Sequence, residues 1–151
     1  MAEVDILDDA KAASATQRYR LQDQVGFLLR RAHQRHVAIF AAAIADLTPP
    51  QFAALAKLGE LGECSQNQLG QLVAMDAATI KGVIDRLKAR DLVALAADEG
   101  DRRRLVVSLT DEGRAALAVV IPRAVSITAE TLAPLTSREA ETLVRLLAKL
   151  G

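Results

Sequence analysis

The stretch Ser65–Asp111 decides the fold, and it reads SQNQLGQLVAMDAATIKGVIDRLKARDLVALAADEGDRRRLVVSLTD. Ser65 and Gln68 have the spacing of a capping box, which predicts that a short helix begins there. Asp76 predicts the start of a second helix, because its carboxylate accepts unpaired backbone amides and favours the positive helix end. The three residues 73–75 leave room only for a tight corner between the two helices.

The second helix is amphipathic. Its buried face is predicted from apolar residues at positions i, i+3, i+4 and i+7, namely Ile80, Val83, Ile84 and Leu87. The residues left facing outward are small or polar: Ala77, Ala78, Thr79, Lys81, Gly82 and Asp85. Two helices joined by a corner, with a second helix of this kind, form a shape that can enter the major groove of DNA.

A basic β-hairpin follows the two helices. The apolar runs Leu92–Leu95 and Leu105–Leu109 predict short strands, and the turn composition of residues 98–101 predicts a hairpin between them. Its tip carries Arg102, Arg103 and Arg104. A helix-turn-helix with a basic hairpin, or wing, predicts a winged helix within a mainly α fold (α+β).

The chain resembles the multiple-antibiotic-resistance regulator (MarR) family. The resemblance extends from about Leu21 to the C-terminus. It is carried by Leu87 and Val93 before the wing, by Asp101-Arg102-Arg103 at its tip, and by Val107-Ser108-Leu109-Thr110-Asp111-Glu112-Gly113 after it. It implies a dimeric winged-helix transcription factor. Such factors are most often repressors released by a small ligand, here expected to be an aromatic carboxylate, a phenolic compound or an acyl-thioester.

Composition favours one soluble, cytoplasmic domain with no membrane partner. The 151 residues fit a single domain. The N-terminus is acidic, and no apolar run is expected to approach the length of a membrane span. The formal net charge is zero, but the charge of the contact surface governs phosphate binding, and here the wing supplies it.

The helices outside the winged helix predict a dimer. Residues 1–16 lack an apolar period and are predicted to be a flexible acidic tail, and residues 17–151 form the domain. A long helix is predicted from about residue 17 to residue 47, the winged helix-turn-helix over 48–110, and further helices over 111–151. The apolar stripes of 17–47 and 111–151 lack partners within the chain, so they are predicted to join two copies symmetrically. Such a dimer matches a pseudo-palindromic operator in double-stranded DNA, with its half-sites about 34–36 Å apart.

The predicted DNA contacts lie on both helices of the motif. Thr79 and Lys81 are the leading candidates for base edges, with Ala77 and Ala78 available to thymine methyl groups. MarR-family members often carry longer polar side chains at the positions of Ala77 and Gly82, so DNA shape is expected to matter more here. The alternative is an ordinary solvated helix face. Phosphate contacts are expected from Ser65, Gln66, Asn67, Gln68 and Arg86.

Arg86 has a structural alternative, an ion pair with Asp85 or Asp91. In the wing, the resemblance implies that Arg103 enters the minor groove and that Asp101 holds its guanidinium, which reduces the entropy lost on binding. The alternative there is an ordinary turn salt bridge. Arg102 and Arg104 complete the expected wing contacts.

Arg30, His33 and His36 are the candidate ligand-binding residues. The two histidines fall with Leu29 and Phe40 on the apolar face of the first helix, where polar rings need partners. Three interpretations stay open. In the first, the histidines are buried core residues whose ring nitrogens have hydrogen-bond partners. In the second, the histidines and Arg30 bind an anionic ligand. In the third, the histidines bind zinc, although the i, i+3 spacing supplies only two ligands. We predict no metal and no cofactor.

Cys64 precedes the first helix of the motif and is interpreted as a small packing residue. The sequence lacks a nucleophile motif, a phosphate-binding loop and a carboxylate–histidine pair, so an enzyme is not predicted. Two functions remain. One is a ligand-responsive repressor, and the other is a winged helix that mediates protein assembly and has lost DNA binding, as the short side chains of Ala77 and Gly82 would allow.

Overall fold

The computed structural model describes Thr16 and residues 18–151, so the predicted tail lies outside the described residues except for Thr16. The chain divides into two compact units, with the boundary between His36 and Val37. In chain order the elements are α1 Val25–Ala43, α2 Pro49–Leu61, β1 Glu63–Ser65, α3 Gln66–Leu72, α4 Ala77–Ala89, β2 Val93–Ala97, β3 Leu105–Leu109, α5 Asp111–Leu132 and α6 Ser137–Leu147.

Helix α1 is shorter at both ends than the helix predicted over residues 17–47. Before it stands a separate 3-10 turn, Leu21–Asp23, with extended residues Arg20 and Gln24 on either side. The Gln24 side chain donates to the Arg20 carbonyl at 3.0 Å, a local bond that competes with continued helix. At the other end α1 stops at Ala43, and Leu47 is buried in the loop that follows.

Side-chain caps stand at the start of each helix from α2 to α6. Thr48 forms a full capping box at α2, and Thr110 Oγ1 accepts from the Gly113 amide at 3.0 Å at α5. At α3 only half of the predicted box is present. Ser65 Oγ accepts from the Gln68 amide at 3.2 Å, but the return bond is not among the α3 caps. Ser65 is also the last residue of β1, where it pairs with β3.

The wing belongs to a three-stranded antiparallel sheet in the order β1-β3-β2. The predicted hairpin is confirmed, although β2 runs from Val93 to Ala97 rather than from Leu92 to Leu95. Strand β1 was not predicted, because three residues are too few to show an alternating pattern. Its Cys64 lies opposite Val107, and both are buried. The sheet therefore fixes the base of the wing beside the start of α3.

The core of the second unit confirms the predicted faces of the motif. All four apolar residues predicted for α4 are buried. The largest fully buried side chains come from the loop after α1, from α2, α3, α4 and from β3, namely Ile44, Leu55, Leu58, Leu69, Ile80, Ile84, Leu87 and Val107. The opposite face of α4 is therefore held outward.

Helices α5 and α6 expose large apolar side chains. Helix α5 is long and apolar enough to cross a membrane by length and composition alone, so the prediction that no stretch approaches a span is wrong. The exposed large apolar residues on the two helices are Val119, Ile121, Val125, Leu143, Val144, Leu146 and Leu147, and Leu150 follows α6. Apolar surface of this extent on a small chain is typical of a face that another molecule covers.

Candidate nucleic-acid interface

Helices α3 and α4 are held close together by small residues and by one strained corner. A Cβ atom on Gly70 would lie 3.0 Å from Ile80 Cγ2 and 3.1 Å from the Met75 carbonyl, so a larger residue would push the helices apart. In the corner Ala74 has φ of 55°, a left-handed conformation that costs energy for a residue with a side chain. The helix-turn-helix angle is therefore well defined.

The first turn of α4 is fixed by its cap. Asp76 Oδ1 accepts from the Thr79 amide at 2.7 Å. This hydrogen bond and a second one from the Thr79 hydroxyl lower the pKa of the Asp76 carboxyl, and burial opposes them only weakly. Ala77, Ala78 and Thr79 are all exposed beyond the cap. The proposed base-contacting turn thus faces solvent on a rigid element.

Lys81 forms an ion pair that was not predicted from the sequence. Its Nζ lies 2.7 Å from Asp85 Oδ2, one turn further along the same face, and both side chains are more than half exposed at 65% and 53%. Arg86 is exposed and forms no ion pair within the described residues, so the structural alternative for it, a pair with Asp85 or Asp91, is absent there and its phosphate contact stays a prediction. Exposed pairs contribute little to stability. Lys81 is therefore free to exchange Asp85 for a base or phosphate.

The wing is ordered by two aspartates, and one of them acts differently from the prediction. Asp101 Oδ1 accepts from the backbone amide of Arg103 at 3.0 Å and makes no ion pair with its guanidinium. The ion pair lies instead between Arg104 Nε and Asp98 Oδ2, at 3.8 Å. Asp98 also accepts from the Gly100 amide at 2.9 Å. Asp98 was not predicted, although the Asp-x-Gly spacing of an Asx turn indicates it.

The wing arginines and the start of α3 line one hollow. It has a volume of about 200 Å³ and is lined by Ser65, Gln66, Asn67, Arg103, Arg104 and Leu105. Within the described chain, neither Arg102 nor Arg103 has an ion-pair partner, and both are exposed. Ser65 is buried at the floor, where its hydroxyl caps α3. Free guanidinium groups beside amide side chains suit the oxygens of a phosphate.

The candidate ligand residues lie on α1, in the first unit. Arg30 and His33 are exposed and His36 is half-buried in the single chain. Leu29, which the prediction placed beside them on an apolar face, is also largely exposed. Among the described residues of one copy, His33 is thus accessible and His36 is partly accessible.

Cys64 is a packing residue. It belongs to the buried core cluster. Burial raises the pKa of its thiol, and the nearby charge of Arg104 lowers it by less. A thiol with a raised pKa holds little thiolate at neutral pH and reacts slowly.

Comparison with known proteins gives relatives that match over most of the chain. A model of the MarR family matches residues 45–104. The HTH-type transcriptional repressor NicR of Pseudomonas putida is 44% identical over 134 residues, which cover 87% of this chain and 85% of NicR.

Solved structures agree with this result. Bordetella bronchiseptica BpsR, whose DNA binding is regulated by 6-hydroxynicotinic acid, is 46% identical with a TM-score of 0.84 over 87% of this chain and 96% of BpsR. A Pseudomonas aeruginosa protein described as a probable transcriptional regulator is 56% identical with a TM-score of 0.85, over 87% of this chain and 100% of that protein.

Proposed function

The chain belongs to the MarR family of transcriptional regulators, and on this premise we propose that it is a dimeric repressor released from its operator by a small aromatic carboxylate. The observation that carries the proposal is the surface formed by the outward face of α4 and the unpaired wing arginines. Both belong to the second unit, and both face solvent on elements fixed by the core. A regulator of this kind acts in the cytoplasm.

On DNA, we assign phosphates to the wing and to the start of α3. Arg102, Arg103 and Arg86 lack protein partners in the described part of the chain, so binding DNA breaks no ion pair at these positions. Each phosphate neutralised releases counterions, which makes affinity fall as salt rises. The remaining phosphate contacts are Ser65, Gln66, Asn67, Gln68 and Arg104.

We assign the base contacts to the first two turns of α4. Thr79 and Lys81 reach base edges, and Ala77 and Ala78 meet thymine methyl groups. The Asp76 cap supports the assignment of Thr79, because it fixes the turn that carries this residue. The exposure of Lys81 beside Asp85 supports the assignment of Lys81. Direct contacts are few, so sequence-dependent DNA shape contributes to the choice of operator.

The exposed apolar faces of α5 and α6 support a homodimer. Two copies related by a twofold axis bury the same face on each chain and present two α4 helices to successive major grooves. A pseudo-palindromic operator follows from that symmetry. The wing arginines, with a repressor among the relatives, favour DNA over the alternative of a protein-assembly module.

The effector is proposed from similarity to BpsR and from the charges on α1. A hydroxylated pyridine carboxylate is the first candidate, with phenolic compounds and acyl-thioesters as further classes. Arg30, His33 and His36 follow one another at three-residue intervals, so they present cationic or hydrogen-bonding groups on successive turns. A coupling of about 1–3 kcal/mol between ligand and DNA lowers DNA affinity about 5–150-fold.

Release of DNA by the effector tests the proposal. A duplex is selected from a random library on the purified protein, and its affinity is measured by fluorescence anisotropy with and without 6-hydroxynicotinic acid. We expect selection of a pseudo-palindrome and a fall in affinity when the acid is added. The variants His33→Ala and His36→Ala should keep DNA affinity and lose most of the response. If the protein selects no duplex from the library, the proposed function is contradicted. If both variants respond to 6-hydroxynicotinic acid as fully as the wild type, the histidines have no part in binding the effector.

A further inference from the structure

A second hollow lies at the C-terminal end of α4. Its volume is about 250 Å³. Its floor is apolar and buried, since Ile44, Leu47, Leu92 and Val120 are between 1% and 8% exposed. Its charged lining residues are Asp46, Arg90 and Arg123. All of these residues belong to the second unit, and the lining includes none of the candidate ligand residues on α1.

Neither arginine of this hollow forms an ion pair with a carboxylate of the described residues. In the described chain Arg123 makes no hydrogen bond or ion pair, and Arg90 Nη1 donates to the backbone carbonyl of Asp46 at 2.5 Å. The ion pairs that the described residues form lie elsewhere, so the Asp46 carboxylate pairs with neither arginine. The lining is net positive, with two guanidinium groups and one carboxylate. Arginines above an apolar floor suit a flat organic anion.

Arg90 connects this hollow to the DNA-contacting helix. It is the C-cap residue of α4, and Leu92, two residues later, forms part of the floor. The bond between Arg90 and the Asp46 carbonyl ties the end of α4 to the loop before α2. A molecule that contacts Arg90 therefore contacts the helix that carries Thr79 and Lys81.

We propose that this hollow is a second effector site, which binds a small monocarboxylate with one flat apolar ring. A cavity of about 150 Å³ holds a benzene ring, so the volume suffices for one ring. The carboxylate lies between Arg90 and Arg123, and the ring rests on the apolar floor. A charge-assisted bond to a carboxylate is about twice as strong as a bond to a neutral acceptor. The ligand therefore draws Arg90 from the Asp46 carbonyl and frees the end of α4.

Binding is measured without DNA, so it does not depend on the proposed function. Only the consequence, a change in DNA affinity, rests on that function. The probe is benzoate, with benzamide as its neutral isostere, titrated calorimetrically into the full-length protein. Titrations are repeated in a His33→Ala/His36→Ala background, which removes two of the three candidate ligand residues on α1 and so weakens that site.

In that background we expect benzoate to bind once per chain. Arg123→Gln should weaken binding at least about tenfold, because bonds to charged groups are among the stronger ones. Arg90→Gln should act in the same direction. Arg145→Gln on α6, which removes the same charge outside the hollow, should leave binding unchanged. Benzamide should bind at least about tenfold more weakly.

Two results overturn the site. One is that benzoate does not bind, and the other is that the parent and the Arg123→Gln variant bind it equally. If the double-histidine background does not fold, the same comparison is made in the wild-type chain, where Arg123→Gln should remove one binding event. If benzoate binds as expected but the protein binds no duplex, the site stands and the proposed function fails. If benzoate bound in the hollow does not change the affinity of the protein for duplex DNA, the role of the hollow as an effector site is refuted.

Discussion

At the scale of single residues, the conformation of the wing depends on a carboxylate that accepts a hydrogen bond from the backbone. Asp101 accepts from the Arg103 amide at 3.0 Å, so it fixes the chain that carries the guanidinium rather than the guanidinium itself. The arginine side chain stays exposed and unpaired in the described structure. We therefore expect the wing backbone to set the position of Arg103 on DNA.

Two substitutions at Asp101 separate these mechanisms. Asparagine keeps an acceptor oxygen for the Arg103 amide, so Asp101→Asn should bind operator nearly as well as the wild type. Asp101→Ala loses the acceptor and should weaken binding by about 1 kcal/mol, the typical net value of one hydrogen bond. Anisotropy titration on the selected duplex measures both. Equal losses in the two variants would instead favour an ion pair with the guanidinium.

Residue partners were the least predictable part of the site. The side chains of Lys81, Arg103 and Arg104 are long and rotatable, and the sequence alone does not show which carboxylate each one meets. The pair between Lys81 and Asp85 has the i, i+4 spacing of a helix and was open to prediction. The pair between Arg104 and Asp98 depends on where the wing turns, so it required the structure.

At the scale of elements, the sequence predicted α4 and its two faces because four apolar positions follow the helical period i, i+3, i+4 and i+7. It did not predict β1, whose three residues carry no period and acquire their strand conformation from pairing with β3. The interruption before α1 was not predicted, because Leu21 continues the apolar stripe. In the structure, Arg20 and Gln24 have extended backbone conformations, and these interrupt the helix. Periodicity indicates which side is buried, but it does not show where local hydrogen bonds end a helix.

Packing of α5 against Leu92, the residue before β2, depends on the absence of one side chain. A Cβ atom on Gly113 would lie 1.9 Å from the Leu92 carbonyl oxygen, a backbone atom that cannot move aside. Gly113→Ala should therefore lower the free energy of unfolding by about 3 kcal/mol or more. Urea denaturation at one protein concentration measures the change.

Gly82 provides the matched control, since nothing lies within 4 Å of an added Cβ there. Gly82→Ala lies inside α4 and should stabilise the protein by about 0.5–1 kcal/mol, because glycine loses more backbone entropy on folding. A Gly113→Ala variant as stable as the wild type would show that α5 does not pack as described.

The α4 cap has a pH signature. Hydrogen bonds from Thr79 lower the pKa of Asp76. Its contribution is therefore complete above the ordinary aspartate pKa of about 3.9 and is lost as the pH falls below that value. Asp76→Asn keeps a capping oxygen without the charge. The difference in Tm between the wild type and this variant should be present near about pH 7 and should shrink steadily as the pH falls below about 3.9 and through the lowered pKa of Asp76. A difference that is independent of pH would contradict the assignment.

At the scale of the whole molecule, we expect a second copy to cover the exposed apolar faces of α5 and α6. Removing residues 143–151 deletes Leu143, Val144, Leu147 and Leu150 from that face. The truncated chain should aggregate or unfold, and the wild-type Tm should rise with protein concentration, as linkage requires for a folded dimer. Sedimentation velocity and thermal unfolding measure these properties. A folded monomer after truncation would refute the dimer.

DNA recognition through α4 and the wing is the central claim, and the salt dependence of binding tests it most directly. Affinity for the selected duplex is measured over a series of salt concentrations in the wild type, in an Arg102→Gln/Arg103→Gln variant and in the Arg145→Gln control. The wild type should lose affinity steeply, with a log–log slope of about −0.9 per phosphate contacted. The double variant should have a slope shallower by about 2, and the control should match the wild type. Binding that does not respond to salt, or a slope that the wing substitutions leave unchanged, would contradict the account.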